Sequence, residues 1–173
     1  MKRIRMLFIV AFSLLVVGLA WAAATAAQQT RPEARDVEGV DAAGAHFIAA
    51  IAARDIHAME KLWAHDSAVT FIGPLSTTIV IGWDGVRKAW EMRFGQFDQV
   101  RISLAESHIR VNGAMAWAVG VESVHLLRKD STTLSFDAFV TNVFEKRDGR
   151  WLMISHHATP IFRETQQGGS SAE

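Results

Sequence analysis

The stretch from Phe136 to Pro160, FDAFVTNVFEKRDGRWLMISHHATP, constrains the fold of this chain more than any other. Two runs rich in β-branched and aromatic residues flank Asp148-Gly149, a pair suited to the positive φ angles of a two-residue hairpin turn. The spacing predicts a long β-hairpin. With a tight turn, Arg147 opposes Arg150, Lys146 opposes Trp151, Phe144 opposes Met153, Asn142 opposes Ser155 and Val140 opposes His157. The last three pairs share one face, while Thr141 and His156 point to the other. One face therefore ends in a small polar group, Asn142, Ser155 and His157, among apolar neighbours, which is how the floor of a binding pocket is built.

Upstream, the pattern is helical. From Asp36 onward Val37, Val40, Gly44, Phe47, Ile48 and Ile51 recur at helical spacing, with Asp36 placed to cap them. Asp55 opens a second, shorter helix that buries Ile56, Met59, Leu62 and Trp63. Asp55 and Asp66 can be read as a catalytic carboxylate pair, but both stand at element boundaries, where capping and turn roles fit better. The runs Ala68 to Ile72 and Thr77 to Ile81, on either side of Gly73-Pro74-Leu75-Ser76, predict a short hairpin. Trp83 to Phe94 returns to the helical period, with Val86, Trp90 and Phe94 in line as core or as the apolar wall of a pocket.

A second long hairpin is predicted where Arg101 to Val111 and Ala114 to Leu127 flank Asn112-Gly113. Counting from that turn opposes His108 to Trp117, Glu106 to Val119, Leu104 to Val121 and Ser103 to Glu122. Met115, Trp117, Val119 and Val121 then share one face, and Ala114, Ala116, Ala118, Gly120 and Glu122 the other. The small row leaves volume in front of the sheet, with Glu122 at its end. The competing reading is a helix packed closely on small residues, with Glu122 at a solvated strand end. Thr133 to Lys146 completes a four-stranded antiparallel meander.

Composition excludes several function classes. Eighteen basic and eighteen acidic residues cancel, and no basic stripe offers a footprint for nucleic acid. Without cysteine there is no disulfide, thiolate nucleophile or thiolate zinc site. There is no Gly-rich phosphate loop or nucleophile elbow, and adjacent His156 and His157 face opposite ways on a strand, so neither a metal nor another cofactor is expected. Lys2, Arg3 and Arg5 precede an apolar run from Met6 to Trp21 and the small residues Ala22 to Ala27. Residues 1–27 thus read as a secretory signal cleaved near Gln28, which puts the domain in the periplasm or outside the cell. An uncleaved membrane anchor is the alternative, because the run is about as long as a bilayer core requires. Residues 28–35 read as a polar flexible leader, 36–162 as the folded domain and 163–173 as a disordered Gly- and Ser-rich tail.

The order helix, helix, short hairpin, helix and four long strands carries a family resemblance. Its residues are AARDI from Ala52 to Ile56, LWAHDSAVTFIGP from Leu62 to Pro74, GWDGVRKAW from Gly82 to Trp90 and FEKRDGRWLMISHHATP from Phe144 to Pro160. The chain resembles the SnoaL-like branch of the nuclear transport factor 2-like (NTF2-like) superfamily and is similar to the association domain of calcium/calmodulin-dependent protein kinases. The resemblance implies an α+β, cystatin-like cone whose curved antiparallel sheet wraps around about three helices and leaves an apolar cavity open at one end. It also implies homodimers formed through the outer face of the sheet. Where the association domain carries pocket arginines this chain has Glu122 and Asn142, which suit a neutral polar group better than an anion. The chain has no tyrosine, so the tyrosine-dependent chemistry of ketosteroid isomerases and scytalone dehydratases is not expected of it.

Two main functions fit. The first is noncatalytic binding of a small hydrophobic ligand in a cavity walled by Trp63, Val86, Trp90 and Phe94, with Glu122, Asn142, Ser155 and His157 at its polar end. The second is a general acid/base enzyme of isomerase, cyclase or dehydratase type, in which burial raises the pKa of Glu122 and His157 exchanges protons with it. A noncatalytic association domain is a further possibility within the same family.

Overall fold

Helix α1 covers residues 33–53 and buries Val40, Ala43, Phe47, Ala50 and Ile51, a spacing that lays one apolar stripe along it. The computed structural model describes residues 33–162, so the expected signal segment, most of the expected leader and the expected tail lie outside the described residues. Residues 33–35, expected in the leader, are already helical, and Asp36 therefore lies inside α1 rather than at its cap. Contacts divide the chain after Glu38, and everything below concerns the unit that begins at Gly39. The helix ends where Arg54 takes φ 54, a left-handed turn that lets Asp55 N reach the carbonyl of Ala50.

Asp55 caps α2 (Ile56–Leu62), accepting from the backbone N–H groups of His57 and Ala58 at 2.9 and 3.0 Å. Asp66 accepts from Ala68 N at 2.8 Å and Val69 N at 3.2 Å and pairs with Arg147. Both carboxylates thus serve the backbone, as their positions at element boundaries suggest. The strands are β1 (Thr70–Ile72), β2 (Val80–Ile81), β3 (Phe97–Asn112), β4 (Met115–Arg128), β5 (Thr133–Arg147) and β6 (Arg150–Pro160), with α3 (Trp83–Gln96) between β2 and β3. They form one curved sheet in the order β2-β1-β6-β5-β4-β3. The short hairpin is present, but its strands have only three and two residues. Its loop is held by Ser76, whose Oγ accepts from Gly73 N while its N–H donates to the Gly73 carbonyl. A parallel pairing of β1 with β6 joins this hairpin to the meander.

The β5–β6 turn is as tight as the sequence suggests, with Asp148 at φ 50 and Gly149 at φ 77. The pairs Arg147/Arg150, Lys146/Trp151 and Phe144/Met153 hold. Beyond Met153 the strand bulges at Ile154, and Val143 then opposes Ser155, Asn142 opposes His156 and Thr141 opposes His157. A slip of one residue exchanges faces. His156 consequently turns inward, to 3 % exposure, and His157 turns out to solvent.

The β3–β4 hairpin differs in another way. Its turn is formed by Gly113-Ala114, with the positive φ of 61 on Gly113, and closes on Asn112 and Met115. Arg110 therefore opposes Trp117, His108 opposes Val119 and Glu106 opposes Val121, two residues from the expected register. An even shift preserves faces, so Ala116, Gly120, Glu122 and Val124 are buried while Met115, Trp117 and Val119 stay exposed. A bulge at Ala105 then brings Leu104 opposite Glu122. Phe47, Met59, Trp63, Phe71, Phe144 and Met153 form the most deeply buried part of the core, joined by Val86 and Trp90 of α3.

Candidate functional site

A cavity of about 350 Å³ lies between α3, the loop after β1 and the inner face of the sheet. Its walls are aromatic: Phe71 from β1, Trp90 and Phe94 from α3, Phe97 from β3 and Phe136 from β5. Glu122 from β4 and His156 from β6 are the ionisable groups deepest in it, and Pro74, Leu75 and Met92 stand around it with Leu75 and Met92 largely exposed.

Glu122 is 5 % exposed, and no hydrogen-bond or ion-pair partner accompanies its carboxyl among the described residues. Desolvation disfavours the charged form, pushing its pKa up to about 7. Near neutral pH this carboxyl can both donate and accept.

His156 is held differently. Its ring is stacked on Phe71 at 5.4 Å between centroids and packs against Phe47 at 5.2 Å. Its Nδ1 lies 2.7 Å from the side-chain oxygen of Asn142, so Nδ1 carries the proton and donates, leaving Nε2 as a bare acceptor. Burial, followed by the positive charges of His157 and Arg93, lowers its pKa to about 3. The ring is therefore neutral at any ordinary pH.

Arg93 ties the mouth together. Its guanidinium lies 4.5 Å above the Phe71 ring and donates to the Ala89 carbonyl at 3.0 Å and to Ser76 Oγ at 2.9 Å. Burial holds its pKa below the usual arginine value. Trp90 carries a buried indole N–H with no partner among the described residues, a further donor beside the cavity.

The structure gathers Glu122, Trp90 and Phe94 around one cavity, as the sequence suggests. Asn142 stands behind them, fixing His156 and facing a smaller chamber. Four expected wall or floor residues are elsewhere. Val86 is wholly buried in the core, Trp63 borders an open cleft with His57, Lys61 and Arg150, and Ser155 accepts a hydrogen bond from Thr70 Oγ1 at 2.7 Å. His157 is exposed and bonded to Thr159, so the bulge at Ile154 puts His156 in the place expected of it. The sequence reading also missed Phe71, Phe97, Phe136 and Arg93. Phe136 was accessible to it, since it shares the inward parity of Ala138, Val140 and Asn142 on β5.

Solved structures with the same fold place this architecture in a known class. An NTF2-like family protein from Streptomyces avermitilis, designated a dehydratase, superposes with a TM-score of 0.69 at 22% identity, over 76% of this chain and 99% of that one. A nuclear transport factor 2 (NTF2-like) superfamily protein from Salmonella enterica gives 0.67 at 17% identity, over 82% and 99%. A protein from Xanthomonas campestris designated a calcium/calmodulin-dependent protein kinase II association domain gives 0.62 at 25% identity, over 70% and 85%. The fold is NTF2-like. The family model for the SnoaL-like domain matches residues 40–163, and the chain belongs to that family. A curated relative, the F-box protein SKIP8 of Arabidopsis thaliana, is 28% identical over 121 residues, 70% of this chain. The matched region spans 49% of that relative's length.

Proposed function

We propose that this chain binds a small, largely hydrophobic molecule in the aromatic cavity, with a carbonyl of that molecule accepting from protonated Glu122 or a hydroxyl bonded to Glu122 and donating to His156 Nε2. The observation that carries the reading is the Glu122 carboxyl, buried to 5 % exposure with no partner among the described residues, at the edge of an open aromatic space. Leaving such a group unpaired costs about 1–3 kcal/mol, which a complementary ligand removes. The cavity is near the small end of the range for ligand sites, about 300–1,000 Å³. The exposed side chains of Met115, Trp117, Val119 and Phe139 on the outer sheet face support a homodimer formed there. The basic and apolar N-terminal segment supports export of the mature domain to the periplasm or beyond.

Native mass spectrometry of the protein purified gently from its own host tests these points together. The expected spectrum shows twice the mass of a chain beginning near Gln28, with a small molecule attached. A monomer would remove the dimer, an intact N-terminus the cleavage, and a cavity that takes up no hydrophobic probe the binding reading.

A second reading is favoured by the burial of the Glu122 carboxyl beside the cavity, which pushes its pKa up to about 7. A carboxyl poised at that value suits general acid/base catalysis on a hydrophobic carbonyl or hydroxy compound. His156, with its pKa near 3, is then the hydrogen-bond acceptor that orients a substrate hydroxyl rather than the group that exchanges the proton. Glu122→Gln is expected to abolish turnover, by a factor of about 10² or more, while binding persists. Undiminished turnover in that variant excludes the assignment.

A further inference from the structure

Glu122 borders two spaces. Besides the aromatic cavity it lines a chamber of about 140 Å³ between α1 and the β3–β4 hairpin, where Asn142 also faces. The two linings differ in kind. Among the described residues no aromatic ring borders the small chamber, whose walls are Val40 and Ile48 from α1, Ile109 from β3 and Val140 from β5. The exposed Asp41 and Ser107 mark its outer end. Asn142 has its side-chain oxygen engaged by His156, and its amide nitrogen has no partner among the described residues. A polar junction thus separates an aromatic compartment from an aliphatic one.

Resting on the binding reading above, we propose that the small chamber is the tail subsite of the same ligand. That ligand is elongated: a ring system occupies the aromatic cavity, a carbonyl or hydroxyl sits at Glu122, and a short unbranched aliphatic arm enters the chamber. Size agrees with this. A dry apolar cavity of ~150 Å³ holds a benzene molecule, so a chamber of this volume takes an arm of about five or six carbons. Placement agrees as well, because Glu122 lines both compartments and so stands beside a polar group placed between them.

Gly44 offers a way to close the chamber alone. It lines the chamber from α1, and a Cβ added there meets nothing within 4 Å, so a larger side chain has room to enter without displacing the backbone. Phenyl alkyl ketones from acetophenone to octanophenone serve as probes, with dissociation constants read from quenching of tryptophan fluorescence. In the unaltered protein affinity is expected to rise about fourfold per methylene and to level off at an alkyl arm of about five or six carbons. Gly44→Leu is expected to leave acetophenone within about twofold while weakening hexanophenone by about tenfold or more. Retained acetophenone binding shows at the same time that the variant is folded. Ala45→Leu, at the chamber's exposed edge, should shift the longer ketones in the same direction.

An identical chain-length dependence in the unaltered protein and Gly44→Leu would overturn the subsite, since the arm would then leave through the mouth past Leu75. The binding reading would survive that result. Failure of every ketone to bind the unaltered protein would overturn both.

Discussion

Glu122→Gln should stabilise this protein at pH 8 by about 3 kcal/mol, because the native carboxyl loses its proton near pH 7 whereas an unfolded one does so near 4.5. Between those values the folded state holds a proton that the unfolded state has released. The contribution of Glu122 is therefore fully present below pH 4.5 and lost as the pH rises through 7. Glutamine carries no such penalty. His156 works in the opposite direction: its native pKa is about 3 against an ordinary 6.5, so its contribution is complete above pH 6.5 and is lost as the pH falls towards 3. In the unaltered protein the two slopes oppose one another between about pH 4.5 and 6.5, giving a flat profile. In the variant the histidine slope stands alone. Urea unfolding midpoints from pH 4 to pH 9 check both statements, and parallel profiles for the two proteins would contradict them.

Gly120→Ala is expected to be the most damaging methyl addition in the sheet, costing about 3 kcal/mol or more. A Cβ on Gly120 would lie 2.1 Å from the backbone oxygen of Glu106, and a backbone atom held in a ladder cannot move aside as a side-chain tip can. Glu106 sits there because of the bulge at Ala105, which crowds β3 against β4 on the inner face. The glycine thus lets the two strands of the hairpin approach closely there. Gly95→Ala is the control. Gly95 lies in α3 with nothing within 4 Å of an added Cβ, so alanine should be neutral there or stabilise by about 0.5–1 kcal/mol through helix propensity alone. Equal thermal shifts for the two variants would show that the close approach at Gly120 is relieved at no cost.

Much of this architecture is legible locally. Asp148-Gly149 specifies its own backbone geometry, Asp55 its cap and the alanine row of β4 its inward face, because each depends on residues close in sequence. The inward position of Glu122 follows from strand alternation and survives a register error of two, since an even slip keeps faces. His156 follows from no local rule. The residues Met153 to His157 have no alternation that marks Ile154 as the extra one. What coincides with the bulge is tertiary: on one side of it Met153 bridges Trp63 and its carbonyl accepts from Ala64, and on the other Ser155 to His157 run parallel to β1. Phe71 reaches the cavity through that same parallel pairing, which joins segments about 85 residues apart, and neither partner announces the other.

The bulge at Ile154 makes the backbone path of β6 as consequential as its composition. Removing Ile154 would leave Val143 opposite Ser155 and Asn142 opposite His156, so His156 would still face the cavity, whereas straightening the bulge with the residue kept would bring Ser155 opposite Asn142 and turn His157 inward. Two members of this family with last strands of equal length, one bulged and one straight, can therefore look alike in sequence and present different side chains to the cavity. In this fold a bulge can act as a substitution in the site, and transferring a residue's role from one member to another requires counting the strand from its bulge rather than from its turn.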